Sequence, residues 1–374
     1  MLLFLIVVAL GLAKYEIAVD FDKKCIIDIY GIFCDIEDEI LEIIRSPDFD
    51  RLKYVSQYGF WVDLLGSDES YSRWTHCMGA MLVERKVCKD SYANCLMRQI
   101  GYLLHDVAHT AGSHSTESLF GPYFHDKNNT DIIRLTGLPE ILERIIANHP
   151  NDIAKTWEDL FDRKNIPTFR AKRPGVNSDR ADYTMRDACL YGHDYVRFLF
   201  DEMYEHESGE IAFKNDVKYL ALLSGEMSPM VYFRPDRFVI NESVIEMLKR
   251  LKEEHFAGNE TFYFDVVVNK KDSDVINLIL QYYPWYDCIR HTNVSENISI
   301  VSEERAEIKN KDSLFLFINP LTNSNERTLD MKASATTEYL AEYWRKYLSE
   351  KNIAISWQNK CLQDIFDTKI VWTQ

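Results

Sequence analysis

Histidine and carboxylate residues concentrate in three short segments of this chain and form a candidate set of metal ligands. Residues 73–76 read Arg-Trp-Thr-His, residues 105–117 contain a His-Asp pair and further histidines, and residues 179–187 are rich in Asp. Six of the ten histidines lie in or near these segments, at positions 76, 105, 109, 114, 125 and 193. Imidazoles with carboxylates suit iron, manganese, zinc or cobalt and leave positions for water and substrate. Such an ion lowers the pKa of bound water, so the pattern predicts hydrolytic chemistry.

Apolar periodicity indicates that helices position these residues. Apolar side chains recur at three-to-four spacing around residue 76 and again over 95–108, as in amphipathic helices. Neighbours on a helix diverge by about 100°, so His105 and Asp106 share an ion only if it lies off the helix between them. A remote His and a remote Asp must complete the ligand set, and His76 and Asp179 are the best candidates because each lies near an arginine. Any one of these histidines alone is more often a core residue, but their concentration favours a site.

The order of the motifs resembles a known family. The chain reads R-x-x-H, then H-D-x-x-H-x-x-x-x-H, then D-R-x-D-Y-x-x-R-D. This order resembles the HD-domain superfamily and, within it, the SAM-and-HD-domain deoxynucleoside triphosphate triphosphohydrolases. Residues 49–59 are similar to the segment that precedes the first motif in that family, and residues 27–31 to its opening turn. The likeness runs from about residue 25 to residue 200 and covers the catalytic core only, without a sterile-α-motif domain.

The resemblance implies a role for each matching residue. The metal ligands would be His76, His105, Asp106 and Asp179. The catalytic residues around the reacting centre would be His109, His114, Glu117 and His125. The substrate would be bound by Gln57, Tyr58, Arg73, Arg180, Tyr183 and Asp187. In that family the reaction releases nucleoside and intact triphosphate, and Mg²⁺ would accompany the substrate phosphates.

His114 and Glu117 also form a pair on spacing alone. Three residues apart, they share a face if this stretch is helical. The carboxylate would then raise the pKa of the imidazole and keep it protonated. His114 is therefore the preferred general acid toward the leaving oxygen. The other interpretation of Glu117 is a solvated residue on a helix surface.

Three functions stay open. The first is a metal-dependent HD phosphohydrolase that acts on nucleotides, above all (deoxy)nucleoside triphosphates. The second is an HD phosphohydrolase for another phosphate ester, and the third is a non-catalytic nucleotide-binding or regulatory module. The last two are open because the family's R-x-x-x-H-x-x-x-Y-Q run has no match in Leu-Lys-Glu-Glu-His at 251–255. The resemblance also implies a homo-oligomer.

The composition limits which other functions fit this chain. The chain has 374 residues and 46% hydrophobic content, enough for a large core. Its net charge of -16 argues against a broad nucleic-acid surface, because such contacts need clustered basic residues. Residues 170–175 form a local basic loop that either guides a polyphosphate toward the metal or is simply solvated.

The same periodicity predicts the fold: a mainly α protein, with an HD-domain helical bundle at 14–257 and a smaller C-terminal α+β lobe at 258–374. Strands are predicted at 261–268 and 314–318, which are rich in aromatic and β-branched residues. Helices are predicted at 37–45, 48–57, 72–86, 95–108, 138–147, 152–163, 184–205, 243–256, 272–282 and 336–349.

The N-terminus predicts a secretory route. Residues 1–13 are continuously apolar, end in small residues and are too short to span a bilayer. They indicate a signal peptide and a secreted or secretory-pathway protein without a transmembrane helix. The alternative is an intracellular protein with an uncleaved, buried N-terminal strand, because no Lys or Arg precedes the apolar run.

Sequons and cysteines agree with that route. Five N-x-S/T sequons predict a glycoprotein, at Asn128, Asn241, Asn259, Asn293 and Asn297. Eight cysteines permit disulfides in an oxidising compartment, although their pairing does not follow from sequence. Cys25 with Cys34 is the pair to test first. Cys77 and Cys189 neighbour motif residues and are predicted to be buried free thiols.

Overall fold

The computed structural model of the chain is mainly α-helical, as predicted. The predicted signal peptide, the strand at 314–318, the helix at 336–349, part of the basic loop and the last two sequons lie outside the described residues. The structure describes residues 16–67, 70–121, 124–162, 164–171, 175–193, 195–214, 220, 227, 235–292, 298–305, 321–322, 350–357, 360–365 and 370–373.

The described helices run along most of the chain. The α-helices are α1 (Asp38–Arg45), α2 (Pro47–Asp50), α3 (Trp61–Leu65), α4 (Arg73–Val87), α5 (Tyr92–Leu104), α6 (Phe124–Ile133), α7 (Leu138–Asn148), α8 (Ser178–Leu190), α9 (Val196–Glu202), α10 (Pro235–His255), α11 (Phe262–Val267), α12 (Asp272–Tyr282) and α13 (Lys360–Ile365). Short 3-10 turns lie at Arg51–Tyr54, Ser113–Leu119, Trp157–Phe161, Pro167–Arg170 and Pro284–His291.

The described strands form three small sheets. The first is the antiparallel sheet β1 (Ala18–Asp20), β2 (Cys25–Asp28) and β3 (Gly31–Phe33). The second joins β4 (Met203–Glu205) and β5 (Ile211–Phe213) with β7 (Leu321–Thr322), which is parallel to β5. The third is the antiparallel sheet β6 (Ile298–Arg305), β8 (Glu350–Trp357) and β9 (Ile370–Thr373).

Two capped helices, α4 and α8, carry motif segments, and a third, α5, leads into the HD pair. The Ser72 hydroxyl accepts the Thr75 amide (3.2 Å) at the start of α4, and the Ser91 hydroxyl accepts the Asn94 amide (3.3 Å) before α5. Asn177 does the same for the Arg180 amide (2.9 Å) before α8. Such caps satisfy amides that have no partner within the helix. Helix α4 is buried along nearly its whole length, which makes it the central helix between α5 and α8.

Separate apolar clusters fill the spaces around these helices. One cluster joins α1, α4, α5 and α7, and another joins α8, α9 and strands β4 and β5. A third cluster combines Val244 and Leu248 of α10 with Phe262 and Ile276 further along the chain. Residues on both sides of position 258 therefore share one core, and the division of the chain into domains at that position stays a prediction.

Several predicted elements are wrong or have different limits. The predicted strand at 261–268 is helix α11, because a short apolar run does not distinguish a strand from a buried helix. The helix predicted over 184–205 is two helices, α8 and α9, followed by strand β4. The helix predicted over 152–163 is reduced to the 3-10 turn Trp157–Phe161, and that over 48–57 to α2 and the turn after it. Helix α10 begins at Pro235, earlier than predicted.

The end of α5 matters most for the site. The prediction placed His105 and Asp106 inside a helix over 95–108, whereas α5 ends at Leu104 and residues 105–108 form turns. We call residues 105–113 the HD loop. Within the described part of the chain, no helix combines the length and apolarity needed to cross a bilayer.

Candidate metal centre and active site

The HD loop and helices α4 and α8 bring the four predicted metal ligands together. His76 Nε2 lies 3.3 Å from Asp179 Oδ1 and 3.7 Å from Asp106 Oδ2. His105 Nε2 lies 3.5 Å from Asp106 Oδ1 and 3.8 Å from Asp179 Oδ1. The two imidazoles and two carboxylates therefore face one another from three separate segments of the chain.

Each imidazole is oriented by a hydrogen bond at its other nitrogen. His76 Nδ1 lies 2.8 Å from Asp182 Oδ2, and His105 Nδ1 lies 2.6 Å from the Tyr102 carbonyl oxygen. Both acceptors take the proton of Nδ1, so Nε2 is the nitrogen that would face a metal, which is the usual arrangement of a metal-binding histidine. His105 Nε2 is buried and has no hydrogen-bond partner among the described residues.

The donor atoms fit a divalent transition metal. A four-coordinate ion with bonds of about 2.1 Å separates its ligand atoms by about 3.4 Å, and the four imidazole-carboxylate separations, 3.3 to 3.8 Å, are close to that value. Of the four residues, His76, His105 and Asp106 have ligand atoms that all lie within 4.8 Å of one another. Two nitrogens and two carboxylates are also a donor chemistry that zinc, iron, manganese and cobalt accept. The buried Nε2 of His105, which has no hydrogen-bond partner among the described residues, also indicates a bound metal, because buried polar atoms normally have partners.

The charges in this cluster favour a cation. Burial by itself would raise the pKa of Asp106, but His105, His109 and Arg73 hold it well below its usual range. Burial likewise opposes the ionisation of Asp179, yet His105 and His76 keep the pKa of that carboxyl low. Both carboxylates are thus ionised. In the absence of an ion they raise the pKa of His105 well above its usual value despite its burial, and a metal would displace that proton.

Asp182 is a site residue that the sequence analysis missed. Besides its bond to His76, Asp182 accepts hydrogen bonds from the Tyr30 hydroxyl (2.8 Å) and from Arg186 Nη2 (2.9 Å). Arg186 Nη2 also donates to Asp28 (2.9 Å). All four side chains of this network are buried. The available signal was the D-R-x-D spacing, which places Asp182 one helical turn after Asp179.

Gly79 allows this close approach of α8 to α4. A Cβ atom on Gly79 would lie 1.9 Å from Asp182 Oδ1 and 2.3 Å from Arg186 Nη2. No side chain fits in that space. The glycine in the middle of α4 is therefore required by the carboxylate that orients His76.

The predicted catalytic residues form a second histidine cluster beside the metal centre. His109 Nε2 lies 3.5 Å from Asp106 Oδ1, and the His109 ring stacks on the His125 ring with centroids 3.9 Å apart. Glu117 accepts from His125 Nδ1 and lies 3.3 Å from His114 Nδ1. His109 and His125 are buried, whereas His114 is exposed. The 3-10 turn Ser113–Leu119 places His114 and Glu117 on one face, because residues three apart eclipse in this geometry.

The expected rise in the pKa of His114 is wrong. Desolvation where the ring contacts its neighbours, together with Arg73 and His125, outweighs the raising effect of Glu117 and lowers the pKa of His114, although 61% of the side chain stays exposed. Burial and Arg73 also hold the pKa of His109 well below its usual value. Conversely, the two imidazoles hold the pKa of Glu117 far below its usual range.

Arg73 lies between the metal centre and the histidine cluster. Its Nη1 donates to Asp106 Oδ2 (2.5 Å), its Nε to Ser113 Oγ (3.0 Å) and its Nη2 to the Gln57 carbonyl (3.3 Å). The guanidinium group is almost fully buried and retains further N–H donors. A fixed cation at this position suits an anionic group bound between the two clusters.

A buried carboxylate binds two tyrosine hydroxyls. The fully buried Asp187 accepts the hydroxyls of Tyr58 and Tyr71, the latter at 2.6 Å. Tyr71 is a second residue that the sequence analysis missed, because no motif contains it. Gln57 Oε1 is buried, and within the described chain it has no hydrogen-bond partner.

Two predicted substrate residues have other contacts. Arg180 donates from Nε to the Gly175 carbonyl (2.9 Å) and from Nη2 to the Ala171 carbonyl (2.5 Å), so it binds both described ends of the basic loop. The Tyr183 ring lies 6.4 Å from the His76 ring. Their assignment to phosphate and sugar stays a prediction.

The chain is similar in sequence to a metal-dependent phosphohydrolase and to two proteins of uncharacterized function. Metal-dependent phosphohydrolase cns2 from Cordyceps militaris is 30% identical over 169 residues, which cover 44% of this chain and 45% of that protein. The other two are from Bacillus subtilis (strain 168). YdhJ is 32% identical over 168 residues (44% of this chain, 47% of YdhJ), and YwfO is 24% identical over 261 residues (63% and 58%). No protein-family model matches the chain.

Solved structures share the fold. A phosphohydrolase from Bacteroides thetaiotaomicron VPI-5482 superposes with a TM-score of 0.57 at 14% identity, covering 87% of this chain and 97% of that chain. A hypothetical protein from Aquifex aeolicus has a TM-score of 0.54 at 21% identity, with coverages of 84% and 93%. At these identities the likeness shows the fold alone.

The similarity in sequence is partial. The chain spans about half the length of the curated relatives it matches. Within that span it is similar to a metal-dependent phosphohydrolase, and its described residues include a His76, His105 and Asp106 group whose ligand atoms lie within 4.8 Å of one another. The comparisons therefore favour a divalent metal and phosphoester hydrolysis, and they specify neither a nucleotide nor the identity of the ion.

Proposed function

We propose that this protein is a metal-dependent phosphohydrolase of the HD type that hydrolyses (deoxy)nucleoside triphosphates to nucleoside and triphosphate. One observation carries the proposal: two imidazoles with fixed Nε2 directions and two ionised carboxylates converge beside a buried arginine. A divalent ion held by His76, His105, Asp106 and Asp179 would supply a water molecule of lowered pKa. The sequence similarity to a metal-dependent phosphohydrolase supports the reaction class.

The protein's own residues divide the remaining work. Asp182 and the Tyr102 carbonyl keep His76 and His105 aimed at the centre. Arg73 binds the phosphate to be attacked and neutralises its charge, because it is buried next to Asp106 and fixed by Ser113. The phosphate then lies between the metal ligands and the histidine cluster, within reach of both.

His114 is the proposed general acid. Its Nδ1 is oriented by Glu117, and its exposure at the edge of the cluster leaves the ring accessible to a leaving oxygen. The lowered pKa leaves only a fraction of His114 protonated near neutral pH, so His114 would donate from that fraction and more readily as the pH falls. Changing His114 to Ala should lower kcat by about 10²- to 10⁴-fold and leave the metal content unchanged, because His114 is not among the four metal ligands. Unchanged turnover by this variant would rule out the assignment.

The nucleoside preference rests on Asp187. The resemblance implies that Asp187 contacts the sugar hydroxyl, and here its fully buried carboxylate is held by the hydroxyls of Tyr58 and Tyr71. Gln57 adds a buried amide oxygen in the same segment. These groups support a nucleotide over a simple phosphate ester.

Product analysis tests the reaction. Purified protein loaded with Mn²⁺ or Fe²⁺ is assayed against nucleoside triphosphates, deoxynucleoside triphosphates, monophosphates and a generic phosphate ester, beside Asp106→Ala. Nucleoside plus intact triphosphate, absent from the variant, is the expected result. If the product is orthophosphate, the proposed metal centre stands but the substrate is another phosphate compound. If metal and nucleotide bind without turnover, the protein is a binding module.

We further propose that the protein passes through the secretory pathway. Three disulfides support this route, because such bonds persist in oxidising compartments: Cys25–Cys34, Cys88–Cys95 and Cys288–Cys361. Cys77 and Cys189 are buried and take no part in these three disulfides, as predicted. Assembly into a homo-oligomer stays a prediction, which light scattering on the purified protein would test.

A further inference from the structure

Distant parts of the chain hold the HD loop in place. Arg51 donates from Nη2 to the carbonyls of Val107 and His109 (both 2.9 Å) and from Nη1 to the Lys270 carbonyl (2.9 Å). The Ala111 amide donates to the Val267 carbonyl (3.0 Å). The backbone between α11 and α12 is therefore attached to the loop that carries two metal ligands and His109.

Asp272, the first residue of α12, completes this attachment. Its Oδ2 accepts the Ser56 amide (2.8 Å) and its Oδ1 accepts the Gly112 amide (2.7 Å). The side chain is 1% exposed. A buried carboxylate is unfavourable unless it is well bonded, and here each oxygen is used on a different segment. One side chain thus joins residue 56 of the chain to residue 112.

The two segments that Asp272 joins are the ones that fix Arg73. The Ser113 hydroxyl donates to the Ser56 carbonyl (2.5 Å) and accepts from Arg73 Nε (3.0 Å). Ser56 and Gly112 are the residues whose amides Asp272 binds. Any change in the distance between these segments moves Ser113, and with it Arg73 and the start of the turn that carries His114.

We propose that Asp272 is a positioning residue: its two carboxylate oxygens clamp Ser56 to Gly112 and thereby set the position of Arg73 and His114 relative to the metal ligands. The inference rests on the proposed function for its effect on catalysis. The clamp itself is a structural claim that can be measured without substrate.

The clamp requires the ionised carboxylate. A protonated Asp272 would keep one good acceptor oxygen, and its hydroxyl would face an amide N–H. Burial raises the pKa of Asp272 to about 7, helped by the negative charge of Asp63 and opposed by the two amides and Arg51. Glu16 and Lys53 border the same cleft. The two-oxygen geometry should therefore be lost as the pH falls through neutrality, although the raised pKa makes any opening that exposes Asp272 less favourable at the lower pH.

Hydrogen exchange tests the clamp directly. Asp272→Asn replaces one acceptor oxygen with an NH₂ group that faces an amide donor. We expect about tenfold faster exchange in the segments around Ser56 and Gly112. The matched control is Asp274→Asn on the same helix, whose exposed carboxylate accepts only the Lys271 amide (3.0 Å) among the described contacts. It should leave exchange in both segments unchanged.

Kinetics distinguish positioning from general stability. In Asp272→Asn we expect kcat to fall by about tenfold or more, with KM changed less than twofold, metal content retained and cooperative melting preserved. The acidic limb of the wild-type kcat profile should lose the inflection due to Asp272 in this variant. Equal effects of Asp272→Asn and Asp274→Asn, or wild-type exchange and kcat in Asp272→Asn, would overturn the proposal.

If Asp272→Asn does not fold, the wild-type protein provides the test. After correction for the intrinsic rate, protection of the two segments should increase between about pH 8 and about pH 6, because an opening that exposes Asp272 restores its usual pKa and is disfavoured once the carboxyl is protonated. Protection of helix α7 should not change. Constant protection of both segments would refute the clamp. If the wild-type protein turns over none of the nucleotides but shows the expected exchange, the proposed substrate fails and the clamp stands.

Discussion

At the scale of single residues, the direction of each metal-binding nitrogen is set by the group on the opposite side of the ring. His76 points its Nε2 at the carboxylates because Asp182 holds Nδ1, and His105 does so because a backbone carbonyl holds its Nδ1. The side-chain acceptor can be changed by mutation, whereas the carbonyl cannot. Mutation of Asp182 therefore tests the orientation of His76 while all four proposed ligands are kept.

Changing Asp182 to Asn should weaken metal binding by about 10- to 100-fold. The amide is a poorer acceptor for the His76 Nδ1–H, and it loses the negative charge that raises the pKa of His76 against the opposing effect of burial. Asp28→Asn is the matched control, since Asp28 bonds the same Arg186 but has no described contact with His76. Metal affinity is measured by titration with a fluorescent chelator.

Both variants should lose stability, because each removes one of the carboxylates that pair with the fully buried Arg186. Only Asp182→Asn should lose metal affinity when the two are compared under conditions where both are folded. Equal losses of affinity would mean that the network acts through general stability and that His76 does not depend on Asp182 for its orientation.

At the scale of secondary structure, periodicity predicted the elements that bury one continuous face. Helices α1, α4, α7 and α12 lie close to the predicted limits. The end of α5 could not be predicted, because His105 adopts helical backbone angles and no glycine or proline marks the boundary. Ending α5 at Leu104 places His105 and Asp106 in a turn. Their side chains can then face one ion without the constraint of 100° between helix neighbours.

The HD loop also depends on a glycine that the sequence analysis did not single out. Gly112 has φ +74°, and a Cβ atom there would lie 2.1 Å from Phe60 Cε2. Gly112→Ala should lower the free energy of unfolding by about 2–4 kcal/mol, from the left-handed backbone and the collision with a buried ring together. Chemical denaturation in urea measures this value, and kcat should fall as well because residue 112 bears one end of the clamp.

Gly66→Ala separates the two causes. Gly66 is also left-handed (φ +60°), but no described atom lies within 4 Å of the position that a Cβ atom would take there. It should lose only about 1 kcal/mol, the backbone contribution. A loss at Gly112 no larger than that at Gly66 would show that Phe60 moves aside freely and that the HD loop tolerates a side chain here.

At the scale of the whole molecule, the contacts that sequence reasoning missed all join residues far apart in the chain. Tyr71 bonds Asp187, Asp182 bonds His76, and Asp272 bonds both Ser56 and Gly112. Motif spacing identifies residues that lie close in sequence. It does not identify a carboxylate supplied by a helix 160 residues later. The four proposed metal ligands could be named from sequence because each stands in a local motif, whereas the residues that orient them could not.

The sequons give the most direct test of the proposed secretory route, because two of them, at Asn241 and Asn259, have different surroundings in the structure. Asn241 bonds the Trp61 amide through Oδ1 (3.2 Å) and the Tyr58 carbonyl through Nδ2 (3.3 Å), and Ser243 of the same sequon is fully buried. Asn259 is exposed after α10, where its Oδ1 accepts the Thr261 amide (3.1 Å). A glycan on Asn259 extends into solvent, whereas one on Asn241 would break the contacts beside Tyr58.

Protein from a secreting eukaryotic host should therefore carry a glycan at Asn259 and none at Asn241. Endoglycosidase treatment followed by peptide mass spectrometry measures occupancy at each site, and Asn259→Gln should remove the corresponding mobility shift. Asn241→Gln should leave the glycans unchanged and should instead destabilise the fold, because the Gln side chain is one methylene too long for its two bonds. Protein without any glycan from such a host would contradict the proposed route, and a glycan at Asn241 would mean that modification precedes the packing of α10 against α3.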